Sequence, residues 1–183
     1  MKKFLFVVFF IFAFNVTFAQ QENVKEESKS ETIKFLKKDG ACFKKEFYDL
    51  GNVKGVECKV LIITDVVENS KIGCLRLEVR THIGTLDYNE IDACIKSLEY
   101  IKSIIENKPS VYTEIEYVTN DGIEIGAFYS DKYTVVYNQG WNAYVETDNF
   151  ISGSTEYFAP KNINSLIEIL HNAKTLIEEK LKE

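Results

Sequence analysis

Histidine, proline and tryptophan are scarce in this chain, and their scarcity limits the chemistry that the sequence can support. Among 183 residues there are two histidines, two prolines and one tryptophan. His82 ends an alternating apolar stretch, His171 falls on the polar side of a helical pattern, and neither is spaced from a cysteine as in a zinc site. No Gly-rich phosphate loop or nucleophile elbow occurs. The sequence therefore assigns no catalytic residue, no metal ligand and no cofactor.

Clustered positive charge is lacking as well. Lysine and arginine total 22 against 28 acidic residues, which gives a net charge of −6. The basic pairs Lys37-Lys38 and Lys44-Lys45 are both bracketed by acidic or apolar residues. Because nonspecific binding of nucleic acid depends on clustered Lys and Arg, this composition argues against a nucleic-acid partner.

Long apolar runs are absent except at the beginning of the chain. Two lysines precede an apolar run from Phe4 to Phe14, and the small residue Ala19 follows. This run is shorter than the roughly 20 residues of a spanning helix. It predicts a signal peptide of residues 1–19, cleaved near Ala19, and thus an exported protein, periplasmic or secreted, without a membrane anchor after cleavage.

The next segment is too polar to fold by itself. Residues 20–32 are rich in Glu, Lys, Ser and Gln, with Val24 as their one apolar residue, and such a segment cannot bury enough surface to offset its ordering entropy. We expect a disordered tether at 20–32, followed by a single domain at 33–183 that is large enough for a sizeable core.

Alternation of apolar and polar residues between Val111 and Glu146 is the strongest structural signal and predicts a four-strand meander. Three-residue turns at Asn120-Asp121-Gly122, Ser130-Asp131-Lys132 and Asn138-Gln139-Gly140 would keep one set of side chains on one face. The apolar set is odd-numbered: Ile115, Tyr117, Ile123, Ile125, Ala127, Tyr129, Tyr133, Val135, Tyr137, Trp141, Ala143 and Val145. The even-numbered glutamates would then face water.

Earlier strands are also predicted. Ile33 and Phe35 indicate a strand that turns at Lys38-Asp39-Gly40 and returns with Phe43 opposite Phe35. The run Val60–Ile63 is apolar on both faces, which predicts a strand covered on both sides, in part by something other than the helices.

Two amphipathic helices complete the pattern. One begins after Asp87, with Glu90 three positions on as in a capping box, and ends at Lys108-Pro109. The other spans about 162–181. The large apolar surfaces must bury one another, so we predict an α+β fold with one mainly antiparallel sheet of about seven to eight strands and two helices packed on one face.

Four cysteines in an exported chain raise the question of disulfides, with three complete pairings open. They are Cys42, Cys58, Cys74 and Cys94. Cys94 falls on the apolar face of the first predicted helix, where a thiol packs as a small apolar group. We interpret the four as buried or isolated thiols and not as a disulfide framework.

Two groups of residues are candidate sites. Polar-tipped aromatic residues on the inner face of the meander predict a ligand pocket, unless the rings are plain core with their hydroxyls at solvent. These are Tyr129, Tyr133, Tyr137 and Trp141. On the opposite face, Glu114, Glu116 and Glu124 would supply a cation site or an acid/base pair, unless they form a solvated surface.

Three stretches carry a resemblance to a known group of proteins. They are Ile83–Asp92, Lys96–Ile101 and Tyr112–Tyr117. Over roughly residues 40–180 the chain resembles an uncharacterised family of exported bacterial proteins of the Bacteroidetes kind. That family has no assigned function, so the resemblance implies a single exported domain and no functional residue.

Three hypotheses of function follow. The first is a noncatalytic exported binding module for a small molecule, a peptide or an envelope partner. The alternatives are a hydrolase-like enzyme that uses Glu114, Glu116 and Glu124, and a structural or inhibitory protein that acts by protein contact. In the last case another subunit would cover Val60–Ile63, and a homo-oligomer stays open.

Overall fold

The computed structural model describes residues 28–135, 138–148 and 153–183, and within them the fold is α+β. Eight strands form two antiparallel sheets of four strands each, joined by three helices. The first sheet contains β1 (Phe43–Val53), β2 (Val56–Asp65), β3 (Ser70–Val79) and β4 (His82–Asp87). The second contains β5 (Glu114–Val118), β6 (Glu124–Ser130), β7 (Gly140–Glu146) and β8 (Thr155–Phe158). The helices are α1 (Glu31–Leu36), α2 (Ile91–Ile104) and α3 (Ile163–Lys180).

The strands do not form the single sheet that we predicted. In both sheets the spatial order follows the chain, β1-β2-β3-β4 and β5-β6-β7-β8, with no ladder between β4 and β5 among the described strands. Between β4 and β5 the chain forms a 3-10 turn at Tyr88–Glu90 and then α2, so the two strands are separated by a helix and do not pair. The α+β class and the antiparallel pairing are confirmed, and the division into two sheets is a correction.

Both predicted helices bury their apolar faces in a core that is shared by the two sheets. Helix α3 contacts β1, β2 and β3, α2 contacts β5 and β6, and the helices contact each other. The fully buried residues come from every layer, as Leu75, Ile125, Leu98 and Leu166 illustrate. Helix α3 matches its predicted span to within a residue at each end, whereas α2 ends at Ile104, before the predicted stop at Lys108-Pro109.

Strand β2 is covered on both faces, as its apolar run predicts. Val60 and Ile62 enter the shared core, whereas Leu61 and Ile63 belong to a separate cluster with Cys74 on the outer face of the first sheet. Phe35 and Leu36 of α1, together with Phe43 and Ile72, cover this second cluster. The cover therefore comes from the same chain, and no second subunit is needed for it.

The predicted strand at Ile33–Phe35 is wrong, because these residues belong to α1. The helix begins after Ser30, whose hydroxyl accepts a hydrogen bond from the Ile33 amide at 3.2 Å and so caps the first turn. Phe35 still meets Phe43, with 5.5 Å between ring centroids, but it does so from a helix and not across a hairpin.

The end of the predicted tether is also folded. Ser30 and Thr32 are buried and hydrogen bonded to the carboxylate of Asp87. The polar composition of the segment predicts disorder because it does not reveal these bonds to a distant residue. Residues 1–27, with the predicted signal peptide and most of the tether, lie outside the described residues.

The first predicted turn of the meander is confirmed. Thr119 and Ile123 pair across Asn120-Asp121-Gly122, with Gly122 at φ 90°, and the register Tyr117↔Ile125 keeps odd-numbered residues opposite each other.

The strand predicted between Lys132 and Asn138 is not found in its described part. Tyr133 is 74% exposed and Val135 is 99% exposed, while β7 pairs directly with β6 in the register Tyr129↔Trp141. The same register places Ala127 opposite Ala143, and both are buried on the inner face of the sheet. Residues 131–139 connect β6 to β7.

The cysteines are free thiols. Cys42 is exposed, and Cys58, Cys74 and Cys94 are buried. Burial raises the pKa of each of the three buried thiols to about 12, which keeps them protonated and poorly reactive. The interpretation as buried or isolated thiols is confirmed.

Candidate functional site

The structure brings together two of the four aromatic residues predicted to bind a ligand. Tyr129 and Trp141 meet edge to face with 5.7 Å between ring centroids. The indole N–H of Trp141 donates to the carbonyl of Asn107 at 2.8 Å, and the ammonium of Lys108 lies 5.6 Å from the Tyr129 ring centroid. These polar partners come from the protein itself, so the pair is tied to the loop after α2.

The other two aromatic residues do not join this pair. Tyr133 is largely exposed in the connection between β6 and β7, where the predicted pairing with Tyr129 does not form because Trp141 takes that position. Tyr137 lies outside the described residues.

The outer face of the second sheet holds large aromatic residues that the alternation rule assigned to water. Phe128 is 7% exposed and Tyr144 is 3% exposed, although both are even-numbered like the glutamates beside them. Tyr157 of β8 stands opposite Tyr144 and so shares this face. The signal for this face in the sequence is the presence of aromatic residues at even-numbered positions, among the glutamates.

Phe128, Tyr144 and Tyr157 pack against one another. Phe128 meets Tyr157 edge on at 5.8 Å between centroids, and Tyr144 lies 6.1 Å from Phe128 and 6.3 Å from Tyr157. These distances are those of favourable aromatic pairs. The three rings form an aromatic floor on the outer face of the sheet.

Gly126 lets Tyr144 reach across this floor. In the register of the sheet, Gly126 of β6 lies between Glu116 of β5 and Tyr144 of β7. The Tyr144 hydroxyl donates to Glu116 Oε2 at 2.8 Å, which requires the side chain to span the intervening strand. A Cβ at position 126 would come within 2.5 Å of the Ile115 carbonyl oxygen, so the close approach of β5 favours glycine there.

Burial and the hydrogen bond to Glu116 act together on Tyr144. Both raise the pKa of its phenol far above the usual range. Tyr144 therefore stays a hydrogen-bond donor at any physiological pH, and it holds Glu116 as an acceptor.

A hollow of about 210 Å³ opens over the aromatic floor and is rimmed by carboxylates. We call it the acidic groove. Its lining consists of Tyr112, Glu114, Glu124, Phe128, Tyr144, Glu146 and Tyr157. None of these seven described residues is basic, so the lining carries negative charge only.

Two of the rim carboxylates face each other across a strand pair. Glu124 of β6 stands directly opposite Glu146 of β7, an arrangement in which like charges repel. Burial raises the pKa of Glu124, and the negative charges of Glu116, Glu146 and Glu114 raise it further. At the other end of the groove, the Tyr112 hydroxyl donates to Glu114 Oε2 at 3.0 Å.

The groove has the chemistry to attract a cation. Carboxylates supply charge, and aromatic faces attract ammonium or guanidinium groups through their quadrupoles. A compact metal site is a poorer match, because no group of three or more His, Cys, Asp or Glu side chains in the described ranges is placed to hold a metal ion. The groove thus brings Glu114 and Glu124 together with aromatic residues, while Glu116 is bound to Tyr144.

Comparisons with known protein families, with curated proteins and with solved structures found no match to this chain.

Proposed function

We propose that this protein is a noncatalytic binding module whose acidic groove holds a small organic cation or the cationic end of a Lys or Arg side chain on a peptide. One observation carries the proposal: an aromatic floor of Phe128, Tyr144 and Tyr157 lies inside a rim of Glu114, Glu124 and Glu146. An acidic surface that only faces water would not require three buried or half-buried aromatic rings beneath its carboxylates.

The size of the groove limits what it would hold. Pockets for drug-sized ligands measure roughly 300–1,000 Å³, and the acidic groove, at about 210 Å³, is smaller. It would accept one ammonium or guanidinium head group and little more. This favours a small amine, or a single side chain of a peptide or envelope protein, over a large metabolite.

The repulsion between Glu124 and Glu146 also supports a cationic ligand. A positive group between the two carboxylates would relieve their repulsion and the incomplete solvation of Glu124. Binding would therefore lower the pKa of Glu124 toward its ordinary value and release a proton wherever that carboxyl is still protonated in the free protein.

Export belongs to the same proposal. The apolar run before Ala19 has the form of a secretory signal, and the resemblance to exported bacterial proteins points the same way. None of the helices in the described residues is long and apolar enough to cross a membrane. We therefore place the binding module in the periplasm or outside the cell.

Calorimetric titration with choline, L-arginine methyl ester and a short Lys- and Arg-containing peptide tests the proposal. We expect at least one cation to bind, with an affinity that falls as salt screens the rim. Replacing both Glu124 and Glu146 by Gln should weaken binding about tenfold or more, in line with the loss of 1.4 kcal/mol or more of attraction. The double variant Glu106→Gln with Glu168→Gln removes two exposed carboxylates that do not line the groove, so it matches the change in net charge and serves as the control.

Two results would contradict the proposal. One is a complete absence of heat or thermal shift with all three cations at low salt. The other is an equal loss of affinity in the groove variant and in the control variant with Gln at positions 106 and 168, because that loss would reflect net charge and not the groove.

A second candidate is a hydrolase-like enzyme on the same face. Burial and the neighbouring negative charges raise the pKa of Glu124, which faces Glu146 across a strand pair. A carboxyl whose pKa is raised and that lies close to a second carboxyl is suited to act as a general acid. A screen with chromogenic glycoside and ester substrates tests it. Activity that Glu124→Gln abolishes, and Glu106→Gln does not, would favour the enzyme over the binding module.

A further inference from the structure

The segment from Ser28 to Leu36, which we call the N-terminal strap, covers a patch of the first sheet that is separate from the shared core. Leu61, Ile63 and Cys74 form the patch, and Phe35 and Leu36 of the strap pack on it. These contacts belong to the smaller of the two apolar clusters, so the strap can be lost without opening the shared core.

The hydrogen bonds that tie the strap to the sheet converge on one carboxylate. Asp87, at the end of β4, is 1% exposed and accepts from Ser30 Oγ at 3.1 Å and from the Glu31 amide at 2.6 Å. It also accepts from the amide and the hydroxyl of Thr32, at 3.1 Å and 2.6 Å. A single residue thus holds the start of the strap.

The rest of the attachment is weak by comparison. After α1 the chain is tied down by Lys38, whose ammonium lies 2.6 Å from Oε2 of the exposed Glu68 and 3.8 Å from Oδ2 of the buried Asp65. Exposed pairs such as that of Lys38 with Glu68 contribute little. The helix itself has six residues, too few to be stable without its contacts.

We propose that the N-terminal strap is a releasable cover, which opens as a unit when the bonds to Asp87 break and uncovers the apolar outer face of the first sheet while both sheets stay folded. Local opening of this kind is expected where a segment has few apolar contacts and a small number of anchoring hydrogen bonds. Asp87 holds the strap closed, and the opening exposes the patch formed by Leu61, Ile63 and Cys74.

Cys74 provides the test, because it lies under the strap and Cys58 and Cys94 lie in the shared core. The exposed Cys42 is first changed to Ser in the full chain. A thiol reagent is then added under native conditions, and the labelled cysteines are identified by peptide mass. We expect Cys74 to react about tenfold faster than Cys58 and Cys94. Opening of the strap is enough to expose Cys74, whereas Cys58 and Cys94 become exposed only when the shared core opens.

Asp87→Asn should speed the labelling of Cys74 by about tenfold further, since the carboxylate acceptor is lost. The rate of Cys58 should stay within about twofold and is the reference in this variant, because Asp87 also forms the capping box in front of α2, the helix that carries Cys94. The control is Asp92→Asn, which removes an exposed carboxylate paired with Lys174. If Cys74 reacts together with Cys58 and Cys94 in both the parent and Asp87→Asn, the strap opens only on global unfolding and the proposal is wrong.

Thr32→Val provides a second test if Asp87→Asn fails to fold. It removes one hydroxyl bond to Asp87 and keeps the shape and the main-chain bond, so Cys74 should still label severalfold faster. Its matched control is Thr175→Val on α3, where the hydroxyl donates to the His171 carbonyl of the same helix. An unchanged labelling rate of Cys74 in Thr32→Val would show that the bonds to Asp87 do not hold the strap closed.

Discussion

The two sheets bury the apolar residues of their outer faces in different ways. On the first sheet, Leu61 and Ile63 are aliphatic, and α1 covers them. On the second sheet, Phe128 and Tyr144 are nearly as buried, but they lie beneath a groove rimmed by carboxylates. An aliphatic patch gains only from the exclusion of water, whereas a tyrosine ring can stay packed while its hydroxyl reaches a polar partner.

This difference indicates which outer face is structural and which is suited to binding. The first sheet uses part of its own chain as a cover, and the acceptor that holds the cover, Asp87, is satisfied within the protein. On the second sheet, Glu124 and Glu146 face each other at the rim of a hollow that opens to solvent. Each prediction below tests one side of this contrast.

The largest effect is expected under the strap. Ile63→Ala removes a side chain with no exposed surface and should lower the free energy of unfolding by about 3 kcal/mol, as for other buried aliphatic truncations. Ile83→Ala is the matched control, because Ile83 lies on the same outer face beyond the strap and is 49% exposed. Denaturant melts measure the free energy of unfolding of both variants. If both lose equally little, the strap does not shield Ile63 from water as a buried core residue is shielded.

A smaller effect is expected at the aromatic floor. Tyr144→Phe keeps the ring but removes the hydrogen bond to Glu116, and should lower the free energy of unfolding by about 1 kcal/mol. Tyr112→Phe removes a similar bond to Glu114 from a side chain that is 68% exposed, and should have almost no effect. Equal losses in the two variants would mean that Tyr144 is no better shielded from water than Tyr112.

The burial of Glu124 and its repulsion by the neighbouring carboxylates predict a dependence of stability on pH. The pKa of Glu124 is raised in the folded protein, so the folded state binds the proton more tightly than the unfolded state does. Stability therefore falls as the pH rises from the ordinary pKa of 4.5 through the raised value. Glu124→Gln should raise the Tm at neutral pH and change it little below the ordinary pKa.

Thermal melts of Glu124→Gln and Glu106→Gln across this pH range make the measurement. The exposed Glu106 is the control for the loss of one negative charge. A gain in Tm that is the same at acid and neutral pH would show that the repulsion at Glu124 is not its cause.

Periodicity predicted the two long helices and most strands of this protein well, and their arrangement into sheets poorly. The alternation in β5 and β6 and the apolar faces of α2 and α3 are properties of neighbouring residues, so they are visible in the sequence. The division into two sheets depends on where α2 carries the chain, and the pairing of Tyr129 with Trp141 depends on which strands meet. Neither is a local property.

The candidate site shows the same limit. The glutamates of the outer face were identified from the sequence, but alternation assigned the whole face to water. Whether Phe128 and Tyr144 lie side by side depends on the register between β6 and β7, and the role of Gly126 depends on β5 as well. The strap was missed for a related reason, because Ser30 and Thr32 are polar and become buried only through Asp87.

The last prediction concerns the two faces of the second sheet and expects no change. Trp141, the only tryptophan, packs on Tyr129 and donates to the Asn107 carbonyl on the inner side, whereas the acidic groove opens on the outer side. A cation that binds the groove should therefore leave the emission of Trp141 almost unchanged, although Tyr144→Phe weakens its binding. Binding is followed by calorimetry and emission in parallel. If a saturating cation shifts the Trp141 emission, and Trp141→Phe weakens binding more than Tyr144→Phe does, the ligand occupies the inner aromatic pair and the contrast between the two faces fails.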